Sequence, residues 1–175
     1  MFARNAYLAT GLRFVLLAAV QVLVLSNVGI REDWGAYAQG LLYPLVILLL
    51  PVGTPTVVVL LVAFVLGLCV DVPLGTIGIH TAALVLTAYV RSVALALLEP
   101  REGYTVNQSP TREAFGLRWF MAYAAVLMGV HTLAYFSVEA FTFVYFWQIM
   151  LRALSSFCIS MLLILVYMLV FDPEA

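Results

Sequence analysis

The sequence has no lysine, and only 10% of its 175 residues are charged. A soluble domain carries roughly 25% charged residues, so this scarcity excludes an ordinary cytosolic enzyme. It also excludes a nucleic-acid binder, which needs a basic face, and a disordered segment, which needs few apolar residues. The net charge of −1 argues against a strongly electrostatic partner. Cysteine is nearly absent. Cys69 and Cys158 both sit in apolar runs, outside any CxxC or Cys/His pattern, and read as buried small hydrophobes. GxSxG, HExxH and Walker loops are missing, so no pattern for nucleophilic, metal or phosphate chemistry appears. His80 and His131 are the only histidines and lie far apart in sequence, which is weak grounds for a metal site. No cofactor is expected.

What is present is apolar. Hydrophobic residues make up 65% of the chain and the mean hydropathy is +1.11. Spans of about 20 residues joined by short loops allow about six crossings and leave no room for a soluble domain. The expected fold is therefore an all-α integral membrane protein, a single domain over residues 1–175. The helices are expected at about 7–30, 36–51, 55–70, 77–98, 117–138 and 147–171. The first run, Phe14–Ile30, follows Arg4 and Arg13 as a signal peptide would, but Val24-Leu25-Ser26-Asn27 offers no A-x-A site. It reads as a retained helix. Pro51-Val52-Gly53-Thr54-Pro55 marks a tight turn, and Asp71-Val72-Pro73-Leu74-Gly75-Thr76 the next break. Residues 99–116 form the only long polar segment.

Arginine placement sets the expected topology. One side collects Arg4, Arg13, Arg101, Arg112 and Arg118, with Arg91 near it; the other holds Arg31 and Arg152. The bias places both termini and the 99–116 loop in the cytoplasm. Glu32, Asp33, Asp71 and Glu139 then fall outside. Trp34, Trp119 and Trp147 lie at helix ends, as an interfacial belt requires.

Ionisable groups within spans are costly and normally face the bundle interior. His80, Thr87 and Arg91 fall within an arc of roughly 40° on one helix, with Ala83 and Ala94 close to the same face. That face reads as a helix–helix contact, although a ligand or proton site would use the same residues. Arg91 is also near enough to the helix end to snorkel. Gln148, Arg152, Ser156 and Ser160 recur every four residues on the last helix, and His131, Tyr135 and Glu139 do so on the fifth. Asp71, His80, Glu139 and Arg152 are expected near one surface. There they would form a structural ion-pair network, Arg152 pairing with Glu139 or Asp71, in preference to a catalytic cluster.

The segment Gly67-Leu68-Cys69-Val70-Asp71-Val72-Pro73-Leu74-Gly75-Thr76-Ile77-Gly78-Ile79-His80 resembles the G-L-x-x-D…G-x-H signature of the rod-shape-determining MreD family. Val22–Val28, Tyr43-Pro44, Pro51, Arg91, Pro100–Tyr104, Arg118-Trp119-Phe120, Tyr123, His131, Glu139 and Arg152 are similar to the family's Bacteroidetes-type branch. The resemblance covers nearly the whole chain. It rests on the ordered set, since no one motif is very specific. Thr81 departs from it, standing where many members have alanine. The resemblance implies a six-helix bundle similar to the substrate-binding subunits of energy-coupling-factor transporters. It further implies a non-enzymatic scaffold or regulator of lateral cell-wall synthesis in the bacterial inner membrane. Its partner would be an MreC-like single-span protein, with indirect links to MreB, RodA and a class B penicillin-binding protein. Two other functions are open to the residues: a vitamin-type transporter subunit, suggested by the polar face around His80, and a membrane enzyme acting on a lipid-linked substrate, suggested by the Asp71–His80–Glu139–Arg152 cluster.

Overall fold

Proline and glycine set the breaks between helices. In the computed structural model, which describes residues 2–25, 38–76, 78–105, 108–141 and 146–171, the first helix, α1 (Phe2–Val20), continues as a π-helical stretch, Gln21–Leu25. A single turn, α2 (Leu45–Leu48), follows. Pro55 then stands at the head of α3 (Thr56–Leu74), which ends at Gly75 in the left-handed region, φ 66°. Gly78, also left-handed at φ 77°, precedes α4 (Ile79–Leu97). A short α5 (Arg112–Phe115) is capped by Thr111, whose hydroxyl accepts the Ala114 N–H at 3.3 Å. Gly116 turns the chain into α6 (Leu117–Ala140), and α7 (Phe146–Phe171) is the longest helix described.

Every regular element among the described residues is helical. Four helices, α3, α4, α6 and α7, are long and apolar enough to cross a membrane, consistent with an α-helical membrane protein. They pack in chain order, α3 on α4, α4 on α6 and α6 on α7, while α1 lies against α2 and α3.

The helix expected at 36–51 is not there. Residues 38–42 carry no regular structure, and only Leu45–Leu48 is helical. The reason is Pro44. It has no N–H to give and its ring opposes a preceding helical turn, while Tyr43 before it is steered away from the helical region. A helix can start at Pro44 but cannot run through it. Even so, Leu41–Leu50 are all buried, so this broken segment is the centre of the bundle. Other boundaries differ as well: α1 already starts at Phe2 and α4 at Ile79. α3 passes the expected end at 70: Pro73 stands inside the last turn, only one residue before the end, and Gly75 closes the helix by donating its N–H to the Asp71 carbonyl. α6 runs on to Ala140. Residues 26–37 and 172–175, with Arg31, Glu32, Asp33 and Trp34, lie outside the described residues. Cys69 and Cys158 are exposed, not buried. They face away from the bundle on apolar helices, where a weakly polar thiol sits easily against lipid.

The 99–116 segment folds back onto the helix ends. The Tyr104 hydroxyl donates to Leu95 O at 2.8 Å, the Trp119 indole to Leu98 O at 2.6 Å, and Val52 N–H to Gln108 O at 2.9 Å. Burial, with a smaller push from the Glu99 carboxylate, raises the Tyr104 phenol to about 12.

Gly67 sets how closely α3 and α4 approach. A Cβ there would run into the Thr81 backbone at its Cα, with Thr81 Oγ1 at 2.9 Å. Gly11 has nothing within 4 Å of the equivalent position. Gly67→Ala should therefore cost at least about 1–3 kcal/mol, the range for overpacking, in reversible unfolding measured in mixed micelles. Gly11→Ala should be neutral or slightly stabilising. Equal stability of the two variants would mean the helices do not meet at Gly67.

Candidate functional site

Helix α4 starts without a capping side chain of its own, because its N-cap residue is Gly78. Its first N–H groups have no partner within the helix, and in lipid such groups must be satisfied by the protein. Asp71, one turn before the end of α3, does this. Its Oδ1 accepts His80 N–H at 3.1 Å and its Oδ2 accepts Thr81 N–H at 2.9 Å. The hydroxyl of Thr76 adds a bond of 2.6 Å to Oδ1, and that of Thr81 bonds Oδ2. Four donors and the positive end of α4 thus hold one carboxylate that is 3% exposed. Gly75 and Gly78 allow the tight link that brings Asp71 back over the α4 terminus.

A second chain of polar groups runs through the core. The Thr87 hydroxyl donates to Ala83 O at 2.7 Å. Its oxygen also lies 3.0 Å from Nδ1 of His131. Both imidazoles are fully buried with no carboxylate on their ring nitrogens, so they are neutral. Nε2 of His131 shares a hydrogen bond with the Tyr43 hydroxyl at 2.8 Å, and the Tyr43 oxygen shares another with His80 Nδ1 at 3.0 Å. Tyr43 has one hydrogen to give, so one imidazole accepts from it and the other donates to it. Tyr43 meets both rings edge-on, and His80 lies against Tyr135 with centroids 4.8 Å apart.

The broken central segment is fastened by side chains from all sides. Gln21 accepts Leu42 N–H at 2.9 Å and donates to Gly40 O at 3.1 Å. On α7, Ser156 accepts Gln39 N–H at 2.8 Å and Ser160 accepts Leu41 N–H at 2.9 Å. At the other end Arg91 Nη2 donates to Leu50 O and, at 3.2 Å, to Pro51 O. The Tyr123 hydroxyl donates to Leu48 O at 3.2 Å. Arg91 is 3% exposed, so it does not snorkel.

The residues expected to form one network separate into three places. Asp71 and His80 join through the α4 terminus, and His80 and His131 through Tyr43. Arg91 stands about 16 Å along α4 from His80 by helical rise. Glu139 and Arg152 pair with each other at 3.5 Å, half-exposed, with Glu139 rather than Asp71 the partner of Arg152. Among the described residues no group of three or more His, Cys, Asp or Glu gathers as a metal site would require. Sequence reasoning passed over Gln21, Gln39, Tyr43, Thr76 and Tyr123 as structural ligands, and found no role for Thr81. The signal was available for Gln21, a lone amide in an otherwise apolar stretch. No family model, curated protein or solved structure matches the chain.

Asp71→Asn leaves one acceptor oxygen and turns an NH2 group toward N–H donors. It should cost about 1–3 kcal/mol or more, whereas Glu139→Gln should cost no more than about 1 kcal/mol, as half-exposed pairs do. Denaturant titration of the two variants in micelles checks this; comparable losses would contradict the capping role of Asp71.

Proposed function

We propose that the chain is a non-catalytic, MreD-like membrane subunit of the bacterial cell-wall elongation machinery, binding an MreC-like single-span partner and helping to maintain cell shape. The observation that carries this reading is the behaviour of the signature segment. Gly67, Asp71, Gly75, Gly78 and His80 act as one device: a close helix contact, a shared cap, two left-handed turns and an anchor to the core. A signature that fixes architecture suits a scaffold. So does the use of polar groups within the helices, which go largely to backbone N–H and C=O groups of the central segment and of α4.

In this reading there are six crossings of an inner membrane: α1 with its π stretch, the broken segment 38–51, α3, α4, α6 and α7. Both termini and the 99–116 loop are cytoplasmic, following the arginine bias. The Asp71 end of the bundle then faces outward. Asp71 itself is occupied and covered, so the outer rim offers a partner Glu139 and Arg152 instead. Its loops are too short for a standard interface of about 800 Å² per partner, and membrane-embedded helix surface supplies the rest.

The test is co-purification of an MreC-like partner with three forms of the protein: wild type, a rim variant (Glu139→Gln, Arg152→Gln) and a loop variant (Arg101→Gln, Glu102→Gln, Glu113→Gln). The rim variant should lose most of the partner and the loop variant should keep it. Partner loss confined to the loop variant would move the contact to the cytoplasm and overturn the outer-rim reading. No partner recovered even with wild type would count against the function itself.

A further inference from the structure

Among the described residues, polar side chains at the middle of the spans either turn inward or bond their own helix. Thr87, His131, Ser156 and Ser160 are buried. Ser92 and Ser155 are not, but each donates to a carbonyl of its own turn, Tyr89 O at 3.1 Å and Leu151 O at 2.7 Å. Tyr89 does neither. It is 62% exposed on the outward face of α4, and among the described residues nothing bonds its hydroxyl. By helical rise it stands about 15 Å from Ile79 and about 12 Å from Leu97, the two ends of a helix long and apolar enough to cross the hydrocarbon. A phenol is too short to snorkel to either interface from there. Nor can it fold back onto its own turn as a serine does. Tyrosine sits well at an interface, where its polar end is wet. At mid-depth there is no water, and the O–H hydrogen needs an acceptor from protein.

We propose that the outward face of α4, centred on Tyr89, seats a partner's membrane helix that brings a hydroxyl or carboxamide oxygen to the phenol at mid-bilayer depth. The surroundings admit a helix. Leu86 and Val93 flank Tyr89, 44% and 61% exposed. Ala82 and Ala96, seven residues to either side on the same face, are exposed and short enough to let a neighbour approach. A second copy of this chain fits the hydroxyl less well. Copies inserted in one orientation lie parallel, and a helical side chain leans toward its own N-terminal turn. The phenol would then face Val85 and Leu86 of the other copy, whose side chains accept no hydrogen bond. Two phenols meeting each other would share one bond and leave the second O–H unmet. The proposal rests on the partner-binding reading above, and adds where in the membrane that partner lies and what it offers.

The full-length protein, with a photo-crosslinking amino acid in place of Leu86 or Val93 on α4, or of Leu61 or Leu68 on the exposed face of α3, is co-expressed with the MreC-like partner in bacterial membranes. Crosslinked peptides are then mapped by mass spectrometry. Positions 86 and 93 should capture the partner's membrane helix, and 61 and 68 should not. In parallel, Tyr89→Phe removes only the hydroxyl. It should lower the partner recovered by co-purification about 3- to 20-fold, the range for one hydrogen bond between membrane helices, with unfolding in micelles unchanged. A destabilised Tyr89→Phe would mean that the hydroxyl already has a partner within the protein, and overturns the proposal. Capture of a second copy at 86 and 93 overturns it in favour of self-association. Capture of lipid alone while the partner still co-purifies, or wild-type recovery of the partner with Tyr89→Phe, overturns it and leaves the partner-binding reading standing. No partner recovered even with wild type fails that reading, and the proposal with it.

Discussion

A backbone that leaves the helix inside a bilayer has no water to bond, so each N–H and C=O it frees must find a partner within the protein. Residues 38–51 impose that requirement on the rest of this structure. Their N–H and C=O groups are met by Gln21 from the π stretch after α1, Ser156 and Ser160 from α7, Arg91 from α4 and Tyr123 from α6. Four separate elements thus converge on one buried strip of chain. Unmet, each of these groups would cost on the order of 1–3 kcal/mol, which is enough to decide how α1 and α7 sit on the α3–α4–α6 core. The π-helical turn at Gln21 fits the same logic, since it lies where the amide reaches across to Gly40 and Leu42.

The same rule explains the α3–α4 link. A helix that begins with glycine lacks its own cap, and Asp71 supplies one from the preceding helix. Among the described residues the two buried charges, Asp71 and Arg91, therefore both serve backbone groups: one the N–H groups at the start of α4, the other the carbonyls at the end of the central segment. Neither needs the other as a counter-ion. Between them, Thr87, His131, Tyr43 and His80 tie α4, α6 and the central segment together through a continuous chain of hydrogen bonds.

Much of the architecture was legible in the sequence because it is written in hydropathy and in Pro and Gly. The spans of α3, α4, α6 and α7 and the turn at Pro51–Pro55 follow from those signals. The 36–51 stretch misled because hydropathy reports burial, not conformation. Residues 41–50 are all buried, but Pro44 keeps a helix from running through them. The site was less legible. Face periodicity on α4 gathered His80, Thr87 and Arg91, all of which are buried. Asp71 needed knowledge that α4 begins with an uncapped glycine, and the His80–His131 link needed Tyr43, which comes from a segment with no period. Shared depth was not enough to join Glu139 and Arg152 to Asp71. They lie at the same end of the bundle, yet one pair is half-exposed and the other group is enclosed.

The central claim is that a buried, non-helical segment is held by side chains from the surrounding helices. Amide hydrogen exchange in nanodiscs, read residue by residue, tests it most directly. The account predicts that Leu41 and Leu42 N–H are strongly protected although they lie outside any helix, and that Ser160→Ala releases Leu41 while leaving Leu42, bonded to Gln21, protected. Rapid exchange at both positions in wild type, or protection of Leu41 that survives Ser160→Ala as part of a continuous helical run across 36–51, would contradict it.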